Sequence, residues 1–139
     1  MNQAAPAAKT TQPGLAPLLN VRGGRRALEF YLAAFGAEEL FCLADDHGQI
    51  VARLAVGGAE FCLADEAPDH ANFSPESLGG SSVRLVLTVA DPDALFQRAI
   101  RAGAVEVWPV ADQHGWRLGR LRDPFGHHWE IGKPLSPPL

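Results

Sequence analysis

Residues 127–130 read His-His-Trp-Glu, and this run holds the densest chemistry in the sequence. Side chains alternate between the faces of an extended strand, so His127 and His128 point opposite ways and His128 shares a face with Glu130. A carboxylate beside an imidazole of ordinary pKa about 6.5 can act as a hydrogen-bonding pair or as an acid–base couple. Upstream, Asp112, His114, Trp116 and Arg117 crowd a loop and the strand that follows it, either as the rim of a cleft or as an ordinary charged hairpin. Asp69, His70 and Phe73 fall in a stretch that reads as a surface crossover, with a lid over a site as its other reading. Cys42 and Cys62 sit inside apolar runs with nothing nearby to lower a thiol pKa, so they read as small core residues of a reducing, cytoplasmic compartment rather than as nucleophiles or a disulfide. The chain contains no glycine-rich phosphate loop.

The elements that must position these groups form an internal repeat. In the first copy, residues 18–21 read as a strand and Gly23-Gly24 turn the chain into a helix ending at Phe35. Leu28, Tyr31, Leu32 and Phe35 lie on one helical stripe, and Gly36 stands where a left-handed cap is wanted. The second copy has a strand over 83–89, Asp91 as N-cap, Pro92 at the first helical position, an apolar stripe of Leu95, Phe96, Ala99 and Ile100, and a closing Gly103. Three strand candidates follow each helix: 39–44, 49–56 and 59–64, then 105–110, 116–122 and 127–131. Phe41, Phe61, Trp108 and Trp129, at strand spacing, read as core, with Trp129 packed under a helix on the face opposite Glu130. The expected fold class is α+β: tandem βαβββ modules forming a curved eight-stranded mixed sheet around a cleft, helices outside. The expected domain runs over 15–133, as a first module (15–66), a linker (67–82) and a second module (83–133). A disordered tail is expected over 1–14, too polar for a signal peptide, and a Pro-rich tail over 134–139.

Composition limits the partners. Twelve Lys and Arg against 16 Asp and Glu give a formal charge of -4 over 139 residues, which excludes a polyanion-binding surface of the nucleic-acid type. No apolar run approaches the length that spans a bilayer, so no membrane role is expected.

The repeat, ending in Asp-Pro-Phe-Gly-His-His-Trp-Glu (123–130), together with Leu-Glu-Phe-Tyr (28–31), Ala-Phe-Gly-Ala-Glu-Glu (34–39), Leu-Ala-Asp-Glu (63–66) and Ser-Pro-Glu-Ser-Leu-Gly-Gly (74–80), resembles the vicinal oxygen chelate superfamily of glyoxalase I, fosfomycin and bleomycin resistance proteins and extradiol dioxygenases. Its closest look is to glyoxalase/bleomycin-resistance-like proteins. The resemblance implies one divalent ion in the cleft, held by four His, Gln or Glu ligands and acting as a Lewis acid on vicinal oxygens. Of those four positions, only Glu130 keeps a ligating side chain. The others fall at Arg84, near Ala16 and near Arg53, and a guanidinium cannot ligate a cation. Arg53 and Arg84 beside Glu130 would instead clamp an anion or carboxylate.

The resemblance therefore implies a small-molecule-binding protein without the standard metal centre, its ligand held by Arg53, Arg84, His114, Trp116, Arg117, His128 and Glu130. Glu130 and His128 are the catalytic candidates should it be an enzyme, and Glu130 is a metal ligand only if a metal binds. The alternative is a lyase, isomerase or dioxygenase in which Glu130, His128 and His114 or His70 assemble a divalent site for Zn, Ni, Mn or Fe. A further alternative is a partner-binding module whose open sheets serve to dimerise. A homodimer fits each of these, since related folds commonly build the cleft from two chains.

Overall fold

A computed structural model of the chain describes residues 11–136, so the expectations for 1–10 and 137–139 lie outside the described residues. The repeat is present. The first module comprises β1 (Leu18–Val21), α1 (Gly24–Phe35), β2 (Glu38–Ala44), β3 (Ile50–Val56) and β4 (Ala59–Asp65). The connection that follows contains a 3-10 turn over Pro68–His70 and one helical turn, α2 (Pro75–Leu78). The second module comprises β5 (Arg84–Thr88), α3 (Pro92–Ala102), β6 (Val105–Gln113), β7 (Trp116–Arg122) and β8 (His128–Pro134). The eight strands form two four-stranded mixed sheets of matching order, β1-β4-β3-β2 and β5-β8-β7-β6, with β1/β4 and β5/β8 the parallel pairs.

Local chemistry explains the helix ends. The Asp91 side chain accepts from the Ala94 N–H at the start of α3, and Gly36 closes α1 at φ 63. The start of α1 has no cap of its own. Asp65, at the end of β4, fills that role by accepting from the Gly24 N–H at 2.8 Å and the Ile50 N–H at 2.7 Å. The connection is pinned as well, because Glu66 accepts from the Ser74 N–H, the Ser77 hydroxyl and Arg22 Nε. Those donors, the Ser74 N–H first, hold its carboxyl down at about 2. The expected surface crossover is thus a tied-down segment with two short helical turns.

One apolar core serves both modules. α1 and α3 pack together, and Arg98 Nε on α3 donates to the Ala33 carbonyl of α1 at 2.8 Å. Trp129 of β8 lies 4.8 Å from the Phe35 ring and 5.3 Å from Phe61, so a second-module strand packs on first-module aromatics. Phe61 and Trp129 are buried, as their spacing suggested. Phe41 and Trp108, expected in the core, are instead 44% and 62% exposed. Both side chains stand on the sheet faces turned away from the helices.

At the junction of the modules lies Asp123, buried and bonded on both oxygens. It accepts from the N–H groups of Phe125 and His127, from Trp129 Nε1 at 2.9 Å, and from the hydroxyl of Tyr31 on α1. His127 Nε2 adds a bond to the Asn20 carbonyl of β1 at 2.9 Å, so this histidine is a structural link between modules.

Candidate functional site

Each sheet has one face against the helices and one open face, and alternation sorts the second sheet's side chains between them. Leu85, Leu87, Trp129, Ile131, Leu121 and Arg117 go toward α3 or the core. Arg84, Val86, Leu118, Arg120, Arg122, His128 and Glu130 go to the open face. The ladder arranges these last in rows: Arg84, His128 and Arg122 lie side by side, and the next row is Val86, Glu130, Arg120 and Trp108.

An open hollow of about 560 Å³ occupies this face. Its walls include Trp108, Pro109, Ala111 and Leu118 on the apolar side and Arg84, Arg120 and Glu130 on the polar side. Arg84 Nη1 stands 3.7 Å from Glu130 Oε1. Arg120 Nε donates to His128 Nδ1 at 3.2 Å, which leaves the imidazole proton on Nε2. Burial, and then the charges of Arg120 and Arg122, hold His128 below its ordinary pKa, which favours the neutral imidazole. A second hollow of about 610 Å³ is lined by His128, Arg122, Val105, Gly79 and Pro75.

The residues anticipated from sequence are distributed as follows. Arg84, His128 and Glu130 come together on the open face. Arg53 is on the open face of the first sheet, bonded to Glu60 at 2.9 Å and to Cys62 Sγ at 3.7 Å, and lines a separate hollow with Ala16 and Gly58. Arg117 faces α3, where Nε and Nη2 make a forked contact to Asp93 at 2.7 Å, while Nη1 reaches Asp112 at 2.9 Å. Trp116 is half-buried at the start of β7, paired across the ladder with Gln113 and Pro134. His114 occupies the β6–β7 turn with φ 51, and His70 ends the 3-10 turn of the connection.

Arg120 and Arg122, absent from the sequence-derived site, join it, and so does Trp108, which its spacing assigns to the core. The two arginines were readable from the hairpin: β7 and β8 flank Asp-Pro-Phe-Gly, so Arg122 pairs with His128 and Arg120 with Glu130.

The donor set does not suit a chelated divalent ion. Among the described residues no three His, Cys, Asp or Glu side chains converge on one point, and the charged neighbours of Glu130 on adjacent strands, Arg84 and Arg120, are cationic. What the arrangement can do is hold an apolar body against Trp108 and Leu118 and offer guanidinium donors beside it.

Comparison with known proteins agrees with this fold. TioX from Micromonospora sp. ML1 superposes with a TM-score of 0.68 at 25% identity, over 91% of this chain and 100% of that one. TnmS3, an antibiotic binding protein from Streptomyces sp. CB03234, superposes at 0.63 with 23% identity, over 90% and 99% of the two chains. An uncharacterised protein of Mycobacterium tuberculosis is 42% identical over 129 residues, 89% of this chain and 76% of its own length. Residues 14–131 match the family described as the Glyoxalase/Bleomycin resistance protein/Dioxygenase superfamily, and the chain belongs to that superfamily.

Proposed function

We propose that this protein binds a small organic molecule in the hollow on the open face of the second sheet, without the divalent ion that its superfamily commonly uses. The observation that carries the reading is the pairing of Glu130 with Arg84 beside an apolar wall of Trp108, Pro109 and Leu118. A guanidinium competes with any cation for that carboxylate and repels the cation as well. The hollow's volume falls within the range of ordinary ligand pockets, roughly 300–1,000 Å³. The antibiotic-binding role stated for TnmS3 supports ligand binding on this fold.

The working assembly in this proposal is a homodimer in the cytoplasm. Phe41, Leu43 and Val51 leave the first sheet's open face apolar and exposed, and Val86 and Trp108 do the same for the second. A two-fold pair that sets the first face of one copy over the second face of the other closes both hollows and brings the partner's Arg53 toward the ligand. Cys42 and Cys62 are free thiols, which suits a reducing compartment.

The test is elemental analysis of untagged protein joined to a small-molecule screen for thermal stabilisation. The expected result is no stoichiometric metal after dialysis against Zn, Ni, Mn or Fe, and a stabilising compound whose effect disappears in Arg84→Ala. A stoichiometric metal lost in Glu130→Ala would overturn the reading in favour of a metal-dependent lyase, isomerase or dioxygenase. Light scattering on the eluting peak reads the dimer directly, and a monomer that still binds the compound removes that part.

A further inference from the structure

The open face of the second sheet is positive on a chain that is negative as a whole. Arg84, Arg120 and Arg122 occupy two adjacent rows in which Glu130 is the one carboxylate, while the whole chain carries -4. Other arginines are held by protein acceptors: Arg22 by Glu66, Arg53 by Glu60, Arg98 by the Ala33 carbonyl, and Arg117 by Asp93 and Asp112. Of the three on the open face, only Arg84 has a carboxylate partner, Glu130. The Arg122 guanidinium makes no ion pair or hydrogen bond among the described residues. Arg120 commits its Nε to His128 and keeps its two terminal nitrogens, and Arg84 reaches Glu130 by one contact of 3.7 Å. Nearby carboxylates are already engaged, Asp112 by Arg117 and Glu76 by Arg22 at 3.8 Å.

Arg84 on β5 faces Arg120 and Arg122 on β7 across the intervening β8, two strand spacings or about 10 Å between backbones, and guanidiniums on such long side chains repel one another over the shared face unless an anion lies between them. The rows bearing these charges lead into the apolar wall, since Trp108 lies directly across the ladder from Arg120, and Leu118 is one row further, about 7 Å along the strand. A ligand with an anionic head and a flat apolar body matches both halves of the surface. Resting on the reading that the hollow takes a small molecule, we infer that the ligand is an aromatic carboxylate, its head between Arg84, Arg120 and Arg122 beside His128 and its ring system against Trp108 and Leu118.

The experiment compares 1-naphthoate with its neutral isostere 1-naphthamide on the full chain, by isothermal titration calorimetry. Naphthoate binds at least about tenfold more tightly, with an affinity that falls as NaCl is raised. Arg120→Gln and Arg122→Gln each weaken naphthoate about tenfold and leave naphthamide unchanged, Arg120→Lys recovers part of the loss, and Trp108→Ala weakens both compounds. All of these positions are half-buried or exposed on a strand face, and matched circular dichroism melts verify that each variant folds. Equal binding of the two compounds, unaltered by the arginine variants, overturns the anion assignment and leaves the small-molecule reading standing. Binding of neither compound overturns this assignment, whereas a neutral compound found by the thermal screen would still support the broader reading.

Discussion

Tyr31→Phe tests whether Asp123 ties the two modules together. Asp123 is 2% exposed. One of its oxygens takes the N–H groups of Phe125 at 2.9 Å and His127 at 3.0 Å, and the other takes Trp129 Nε1 and the Tyr31 hydroxyl. Removing that hydroxyl leaves the ring contacts with Phe35, Phe61 and Phe125 in place, so the change isolates one hydrogen bond to a buried carboxylate. Such a bond contributes about 1.5–3 kcal/mol. For a domain of this size, about 2 kcal/mol lowers Tm by roughly 6–10 °C.

The same bond carries a signature in alkali. Burial, and then the charge of Asp123, push the Tyr31 phenol well above 10, so the folded chain keeps it protonated after the unfolded chain has released the proton. Its contribution is complete below about pH 10 and is lost as the pH rises beyond. The chain has a single tyrosine, so the ultraviolet absorbance of tyrosinate reports on this group alone. The expected outcome is a lowered Tm for Tyr31→Phe at neutral pH, a shallower decline of its stability in alkali, and tyrosinate appearing in the native protein only with unfolding. A Tm within about 1 °C of the native value, or a native tyrosinate transition near pH 10, would refute the reasoning.

Three other substitutions probe separate parts of the structure. Glu66, held down at about 2, contributes stability that is present above about pH 4.5 and is lost as the pH falls toward 2; Glu66→Gln should flatten the acid limb of a stability–pH profile from urea melts, and an unchanged acid limb would sink the account. Arg117→Gln should lower Tm modestly, because it removes the fork to Asp93, and leave ligand affinity untouched; a loss of affinity at unchanged Tm would place this arginine in the site after all. At Gly132 a Cβ would meet Leu118 Cδ1 at 2.5 Å and the Arg117 carbonyl at 2.6 Å, and the carbonyl cannot yield without parting β7 from β8. Gly132→Ala is accordingly expected to cost about 1–3 kcal/mol in urea unfolding, and wild-type stability would show that the strands can separate freely.

The sequence exposes the fold far better than the site, and particular residues show why. Caps, stripes and turns are local: Gly36 and Gly103 behind apolar stripes, Asp91-Pro92 ahead of one, and Gly57-Gly58 between two strands were enough to order the elements. Alternation is local too, and it put His128 with Glu130 and Trp129 beneath a helix. It equally separates Arg117 from Arg120, three residues apart on one strand and so on opposite faces, one bonded to Asp93 and the other to His128. By contrast, Arg53 and Glu130 lie in different modules, and nothing in either local pattern says how two packed modules are turned relative to each other. That relation is set by Tyr31, Phe35, Phe61, Asp123 and Trp129 acting together over long separations in the chain.

Trp108 shows a subtler limit, in which the pattern was available and its meaning was not. Counted as one aromatic in an alternating run it belongs to the core, yet β6 loses register on both sides of it, between Glu106 and Trp108 and between Trp108 and Ala111. The next residue is Pro109, which cannot donate to a ladder and is confined to edge strands and irregularities. β6 is indeed the edge of its sheet. A Trp-Pro pair on a strand is therefore a reason to distrust simple parity, and here the irregularity delivers the largest side chain of the strand to the open face, directly across from Arg120. An aromatic and a guanidinium side by side, brought there by a broken register, form a surface suited to a ligand rather than to a core.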